Sequence, residues 1–421
     1  GGGCARADGG PASARADSGA NASSLCGRGG QRPGAARSSG AGGAKSAADG
    51  QSAGLTSGAD GAESAADGRS AGLLSGAGGG PCPGMADIVD GGPCPGMADI
   101  VAVGSPVMDL LVNTQRLPEG EGVSRANDIF HQGGGNASSA MAAAARLGAR
   151  AGMIAKVGGD AIGRFILKDF EYNGVDTSRV VVGPPGTSSS YCIALSQVEL
   201  GTRVFVLRDS TAGALAPGEI DYGYIAGAKL LHLEAGGDPA SLAAAKFARE
   251  HGVAVSVDAG YYSKESEAII PLADIFIASD IYYSEMFKGS AAGYRENCEA
   301  LRGMGPSVVW VTLGSRGCVG LAGGEFYEIP SFGVRVADTT GAGDVFHGAY
   351  LAAALRGFPH GECARRASAV SAIKCMFVGG RTGLPDAAML ERFLRDGALG
   401  AADAAELEKR LAFYRGSFLE A

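Results

Sequence analysis

Residues 338–350, Asp338-Thr339-Thr340-Gly341-Ala342-Gly343-Asp344-Val345-Phe346-His347-Gly348-Ala349-Tyr350, put small residues, a lone carboxylate and an apolar helical repeat in direct succession. Gly341, Ala342 and Gly343 let backbone N–H groups come close to an anion. If residues 342–355 form a helix, as the spacing of Val345, Phe346, Ala349, Leu351 and Leu355 predicts, those groups lie at its positive end. Asp344 then stands in the first turn, where a carboxylate can take the proton of a hydroxyl that attacks a phosphate. The competing reading is a capped helix in which Thr340 and Asp344 satisfy unpaired N–H groups. Capping accounts for the Thr and the Asp, but not for two glycines flanking an alanine.

This stretch resembles the C-terminal signature of the ribokinase-like (PfkB) family of sugar and nucleoside kinases, an Asp, a Thr or similar residue, then Gly-Ala-Gly-Asp. The resemblance implies Asp344 as catalytic base and Gly341, Ala342 and Gly343 as anion hole. It also implies ATP and Mg2+ as cofactors, with room for a monovalent cation.

Further candidates lie upstream. Asp109 follows the apolar run 100–103 in Gly104-Ser105-Pro106-Val107-Met108-Asp109, at the carboxyl end of an expected strand, where open α/β sheets bind ligands. On its own it reads as a turn residue; by resemblance it holds sugar hydroxyls. Gly133-Gly134-Gly135-Asn136 opens a run to Gly163 that resembles the family's N-terminal signature, with Leu147-Gly148 and Val157-Gly158-Gly159-Asp160 as its turns. That implies substrate contacts from Gly134, Gly135 and Asn136, against the plainer reading of a Gly-rich turn with an Asn cap. Arg208 and Asp209 end a candidate lid strand. Asp258 closes an apolar strand and matches a family Asp, or serves as a turn residue.

On the nucleotide side, Thr312-Leu313-Gly314-Ser315-Arg316-Gly317 resembles the family's turn beside ATP, which implicates Thr312, Gly314 and Gly317; a plain hairpin turn is the alternative. Lys374, before Gly379-Gly380-Arg381, follows a helix that lines the adenine in the family, or is a solvated helix-end cation. At 279–285, Ser279 and Tyr282 stand where most members carry the Asn and Glu of a magnesium-linked Asn-x-x-Glu motif. Asp280 and Glu285 are the remaining carboxylates that could reach the metal through water. The five histidines show no metal spacing, and His347, one turn past Asp344, reads as a packing or orienting residue.

The elements that must position these residues alternate. Short apolar strands are expected at 100–103, 151–157, 229–233, 254–258, 275–278 and 308–312. Ala-rich helices are expected at 137–147, 161–171, 239–250, 342–355, 363–375 and 387–395. The fold class is α/β, a ribokinase-like three-layer, doubly wound, mainly parallel sheet. Residues 111–132 and 188–207 break the alternation and read as antiparallel strands of a small β-sheet lid, which closes on the sugar in the resembled family.

Of 421 residues, 71 are Gly, concentrated in 1–96, a Gly/Ala/Ser/Asp-rich segment unable to bury a core. Within it residues 46–59 recur as 64–77 and residues 79–89 as 91–101, so Met97 is expected as the natural start and 97–421 as the kinase domain. The net charge of −8 argues against nucleic acid and anionic membranes as partners. No apolar run suits a membrane span, and the nine cysteines form no zinc or disulfide pattern, so a cytoplasmic enzyme is expected. Sugar and ATP are the implied ligands, and a homodimer through the lid is open. The Asp344–Ala349 run with Lys374-Cys375 and Gly379-Gly380-Arg381 looks most like the branch of 6-deoxy-6-sulfofructose kinase and related ketose kinases. A nucleoside kinase of the same fold and a non-catalytic sugar-binding module remain as alternatives, with Arg125, Arg203 and Arg208 serving an anionic group or only solvent.

Overall fold

The structure, a computed structural model, describes residues 97–197, 199 and 202–417; the repeats and the expected leader at 1–96 lie outside the described residues. In chain order the elements are β1 (Ile100–Val103), β2 (Val107–Thr114), β3 (Ala126–Gly134), α1 (Asn136–Arg146), β4 (Ala151–Val157), α2 (Ala161–Asn173), β5 (Asp176–Val182), β6 (Tyr191–Gln197) and β7 (Thr202–Arg208). There follow α3 (Tyr222–Ala226), β8 (Leu230–Glu234), α4 (Pro239–Glu250), β9 (Ala254–Ala259), β10 (Ile275–Ser279), α5 (Asp280–Met286), α6 (Tyr294–Gly303), β11 (Val308–Thr312), β12 (Cys318–Ala322) and β13 (Glu325–Ile329). The chain ends in α7 (Ala342–Leu355), α8 (His360–Cys375), α9 (Ala387–Asp396) and α10 (Ala401–Ser417).

Nine strands form one sheet in the order β13-β12-β11-β10-β9-β8-β1-β4-β5, parallel except where β12 pairs with β11 and β13. Its central strands are buried and mainly apolar because both faces are covered, with His232, Ser256 and Asp258 as the buried polar exceptions in β8 and β9. Ile100 and Ala102 point into a core shared with α1, α2, α7 and α8, while Val101 and Val103 point into one shared with α4 and α6. Ile275 and Ile277 against Phe276 and Ala278 repeat the division. This is the expected three-layer α/β architecture. No helix among the described residues is long and apolar enough to cross a membrane.

Local chemistry sets the helix ends. Asp238 caps α4 by accepting from Ser241 N at 2.9 Å with Pro239 at the first position, and Asp160 caps α2 in the same way through Gly163 N at 2.8 Å. The crossing of α1 and α7 matters most for the site. A Cβ on Gly348 would stand 2.7 Å from the Ala140 carbonyl carbon, so only glycine lets the two helices approach this closely. Their contact brings both helix N-termini, with the two glycine turns that precede them, to one end of the sheet.

The lid is a four-stranded sheet in the order β3-β2-β6-β7. Two of its pairings are antiparallel as expected, but β2 and β6 run parallel. The chain leaves the lid through α1, β4, α2 and β5 before it returns, and such a crossover re-enters in the same direction.

Candidate active site

The sheet's carboxyl end, the lid and the N-termini of α1 and α7 enclose the candidate residues. Gly341 caps α7 with φ at 74°, a left-handed conformation that glycine adopts without cost, and its Cα faces Gly380. The first-turn amides of a helix have no carbonyl four residues back to bond. Ala342 N is the exception in part, since it donates to Thr339 O at 3.2 Å. Space around the Gly343 Cβ position is open for 4 Å.

A cleft of about 400 Å3 begins at this turn. Thr312, Gly314 and Gly317 line it, as expected from the sequence, together with Thr339, Ala342, Gly343, and Val334, Val336 and Ala372 on its apolar side. A helix N-terminus at one end and an apolar slot at the other fit a nucleoside triphosphate.

Asp344 sits in the first turn of α7. Burial pushes its carboxyl up to about 6, with Asp258 adding to the rise, while His347, Arg381 and Lys374 pull the other way. A carboxylate poised there is ionised at neutral pH and basic enough to take a hydroxyl proton. Beneath it, His347 Nε2 lies 3.2 Å from Asp258 Oδ1 in a buried pair. Burial alone would raise Asp258, but the charge and hydrogen bond of His347, the charge of His232 and a hydrogen bond from Asn136 hold it below the ordinary carboxylate range. His232, Asp258 and His347 form the one His/Cys/Asp/Glu group among the described residues whose ligand atoms lie close enough, within 4.8 Å, to surround an ion.

On the lid side Asp109 occupies β2 itself, opposite Gln132 and Cys192, and not the turn after β1. Sequence reading put it at the strand end because the break at Ser105-Pro106 is short; the chain there passes straight into the lid. Burial raises Asp109 to about 7 against the pull of Arg381, with Asp344 and Asp169 adding to the rise. Gly134 ends β3, Gly135 caps α1 with φ at 91°, and Asn136 is the helix's first residue, its side chain already turned to Asp258. Arg203 of β7 reaches across to Thr339 Oγ1 and lies 3.7 Å from Asp338 Oδ1, so the lid touches the anion turn, while Arg208 donates to Ser188 Oγ at 2.8 Å.

Three expectations are corrected. Lys374 does not line the cleft: it is fully buried and its Nζ donates to Asp338 O at 2.9 Å, so it braces the turn that leads into α7. Asp280 pairs with Arg316 at 2.9 Å and Glu285 with Lys288 at 3.3 Å, and neither lines the cleft. The reason lies in Ser279 and Tyr282. Ser279 caps α5 through Tyr282 N at 3.0 Å, and the Tyr282 ring is buried with its hydroxyl on Ser266, so the motif has become structural.

Sequence reading missed Glu234, Asp169 and Tyr414. Glu234 accepts from Ala137 N at 2.9 Å, and burial raises it to about 7. A charged residue ending the run Leu230–Leu233, apolar except for His232, was the available signal.

The pfkB family carbohydrate kinase profile matches residues 97–387. A protein of Archaeoglobus fulgidus described as an uncharacterized sugar kinase is 34% identical over 251 residues, 57% of this chain and 97% of that protein. A nucleoside kinase of Methanothermobacter thermautotrophicus is 26% identical, covering 68% of this chain and 92% of its own. The crystal structure of a putative ribokinase from Agrobacterium tumefaciens superposes with a TM-score of 0.64 at 26% identity, over 72% of this chain and 98% of that one. With these matches and this site geometry, the chain belongs to the pfkB family of carbohydrate kinases.

Proposed function

We propose that residues 97–421 form an ATP-dependent kinase that phosphorylates a primary hydroxyl of a small sugar, a ketose or sulfonated ketose. The observation that carries the reading is Asp344. It stands in the first turn of α7, beside the cleft that Ala342 and Gly343 edge, and its charge acts on Asp109 of the lid strand β2. In this reading Asp109 and the Gly134-Gly135-Asn136 turn hold the sugar. The hydroxyl gives its proton to the Asp344 carboxylate as its oxygen attacks the γ-phosphorus; the bond to the β-phosphate oxygen breaks and ADP leaves. The turn Gly341–Gly343 stabilises the charge that develops. Magnesium arrives with ATP as part of the substrate. Exposed Ile129, Val204 and Val206 on the outer lid face support a homodimer through the lid.

The test is ADP release on a panel of D-fructose, a sulfonated ketose, D-ribose and adenosine. Preference for a ketose supports the reading. Preference for adenosine favours a nucleoside kinase, the activity of the Methanothermobacter relative, and sugar binding without ADP formation leaves a binding module.

A further inference from the structure

Helix α10 lies beyond residue 387, where the family match ends, yet it reaches the sugar side of the site. It enters between lid and body. Leu411 and Tyr414 pack against Leu111, Phe130 and Ala194, which the strand register places on the same lid face as Asp109. Phe413 stacks on Tyr172 of α2 at 3.9 Å, and Arg415 pairs with Asp128 of β3 at 2.6 Å.

The polar end of Tyr414 leads further in. Its hydroxyl donates to Asp169 Oδ1 at 2.9 Å and accepts from Asn173 Nδ2 at 3.1 Å. Asp169 Oδ2 accepts from Arg381 Nε at 3.0 Å, and Arg381 N donates to Gln132 Oε1, on the residue opposite Asp109. Arg381 is fully buried, and its Nη1 and Nη2 have no hydrogen-bond partner. Nη2 lies beside Gly133, and the guanidinium charge acts on both Asp109 and Asp344. Unbonded donors on a buried cation are costly unless a ligand oxygen satisfies them.

We propose that Arg381 is a sugar-contacting residue whose Nη nitrogens donate to a substrate oxygen, and that Tyr414 of α10, acting through Asp169, is the positioning residue that aims it. This rests on the kinase reading above. An element outside the family match thereby shapes the sugar side, while the nucleotide side is left to the family core.

The test uses the full chain and the best acceptor of the panel. Tyr414→Phe removes one hydroxyl and keeps the ring in its apolar contact; loss of a hydrogen bond in a charged network predicts a rise of about tenfold in sugar KM, with kcat and ATP KM unchanged. Arg381→Lys keeps the charge but loses the fork, and raises sugar KM at least as much. A Tyr414→Phe variant with a lower Tm and unaltered sugar KM overturns the positioning role, and an Arg381→Lys variant with unaltered sugar KM overturns the contact. If the wild-type chain phosphorylates no member of the panel, the ketose reading fails by itself. Amide hydrogen exchange over β2, β3 and β6 then decides: faster exchange in Tyr414→Phe supports the strut, and equal exchange overturns it.

Discussion

Adding one methyl group to Gly134 displaces the carboxylate on which the sugar side depends. A Cβ at that position would stand 2.5 Å from Asp109 Cγ and 2.6 Å from its Oδ1. Unbonded heavy atoms rest at about 3.5 Å, so the whole carboxyl group retreats by about 1 Å. No rotation of its tip relieves the contact, because Cγ itself would stand only 2.5 Å away. Gly134 itself has ordinary strand backbone at the end of β3, which tolerates alanine. A misplacement of about 1 Å at a positioning group costs on the order of a hundredfold, about 2.7 kcal/mol of transition-state stabilisation. Steady-state kinetics of Gly134→Ala should show this loss in kcat/KM for the sugar, with KM for ATP unchanged because neither Gly134 nor Asp109 lines the cleft at 312–317 and 342–343. A soluble, folded variant with wild-type sugar kinetics would refute the placement of Asp109 at the substrate.

The raised Asp344 fixes the acid limb: kcat/KM for the sugar should fall below about pH 6 as the base takes up a proton, and a profile flat to about pH 5 would contradict it. Asp109, Glu234 and Asp344 all bind protons more tightly folded than unfolded. Their contribution to stability is therefore full below the unfolded carboxyl range and is lost as pH rises to about 7, so Asp109→Asn should raise Tm at neutral pH while activity falls. Lys374→Met removes a buried ammonium from the Asp338 carbonyl and leaves that carboxylate less compensated; urea unfolding should show a loss of about 3 kcal/mol, and a loss under about 1 kcal/mol would show that the brace is dispensable.

Much of the fold was legible because its determinants are local. The apolar runs at 100–103, 151–157 and 308–312 and the helices at 239–250 and 342–355 appear with the expected bounds, since strands buried on both faces and well-capped helices advertise themselves. Strands β5 and β13 at the sheet edges and the polar helix α6 were not expected, because half-exposed elements carry mixed side chains, and the short buried β12 was hidden in the glycine-rich stretch after β11. The glycine turns were legible for a similar reason: a left-handed Gly341 and Gly135 are properties of the residue itself. What the sequence hid was long-range. Nothing near Lys374 reveals that its ammonium meets Asp338, and nothing in α10 reveals that Tyr414 meets Asp169, 245 positions away. Asp280 and Glu285 misled for the opposite reason, as carboxylates near a degenerate motif whose capping Ser279 and buried Tyr282 already explain it.

The central claim is that Asp344 removes the acceptor proton, and Asp344→Asn tests it most directly because the amide keeps the shape and loses the basicity. Sugar and ATP binding, measured by calorimetry, should persist while kcat falls on the order of a thousandfold, the range of general-base catalysis. Turnover close to that of the wild-type chain, with both ligands bound, would contradict the account.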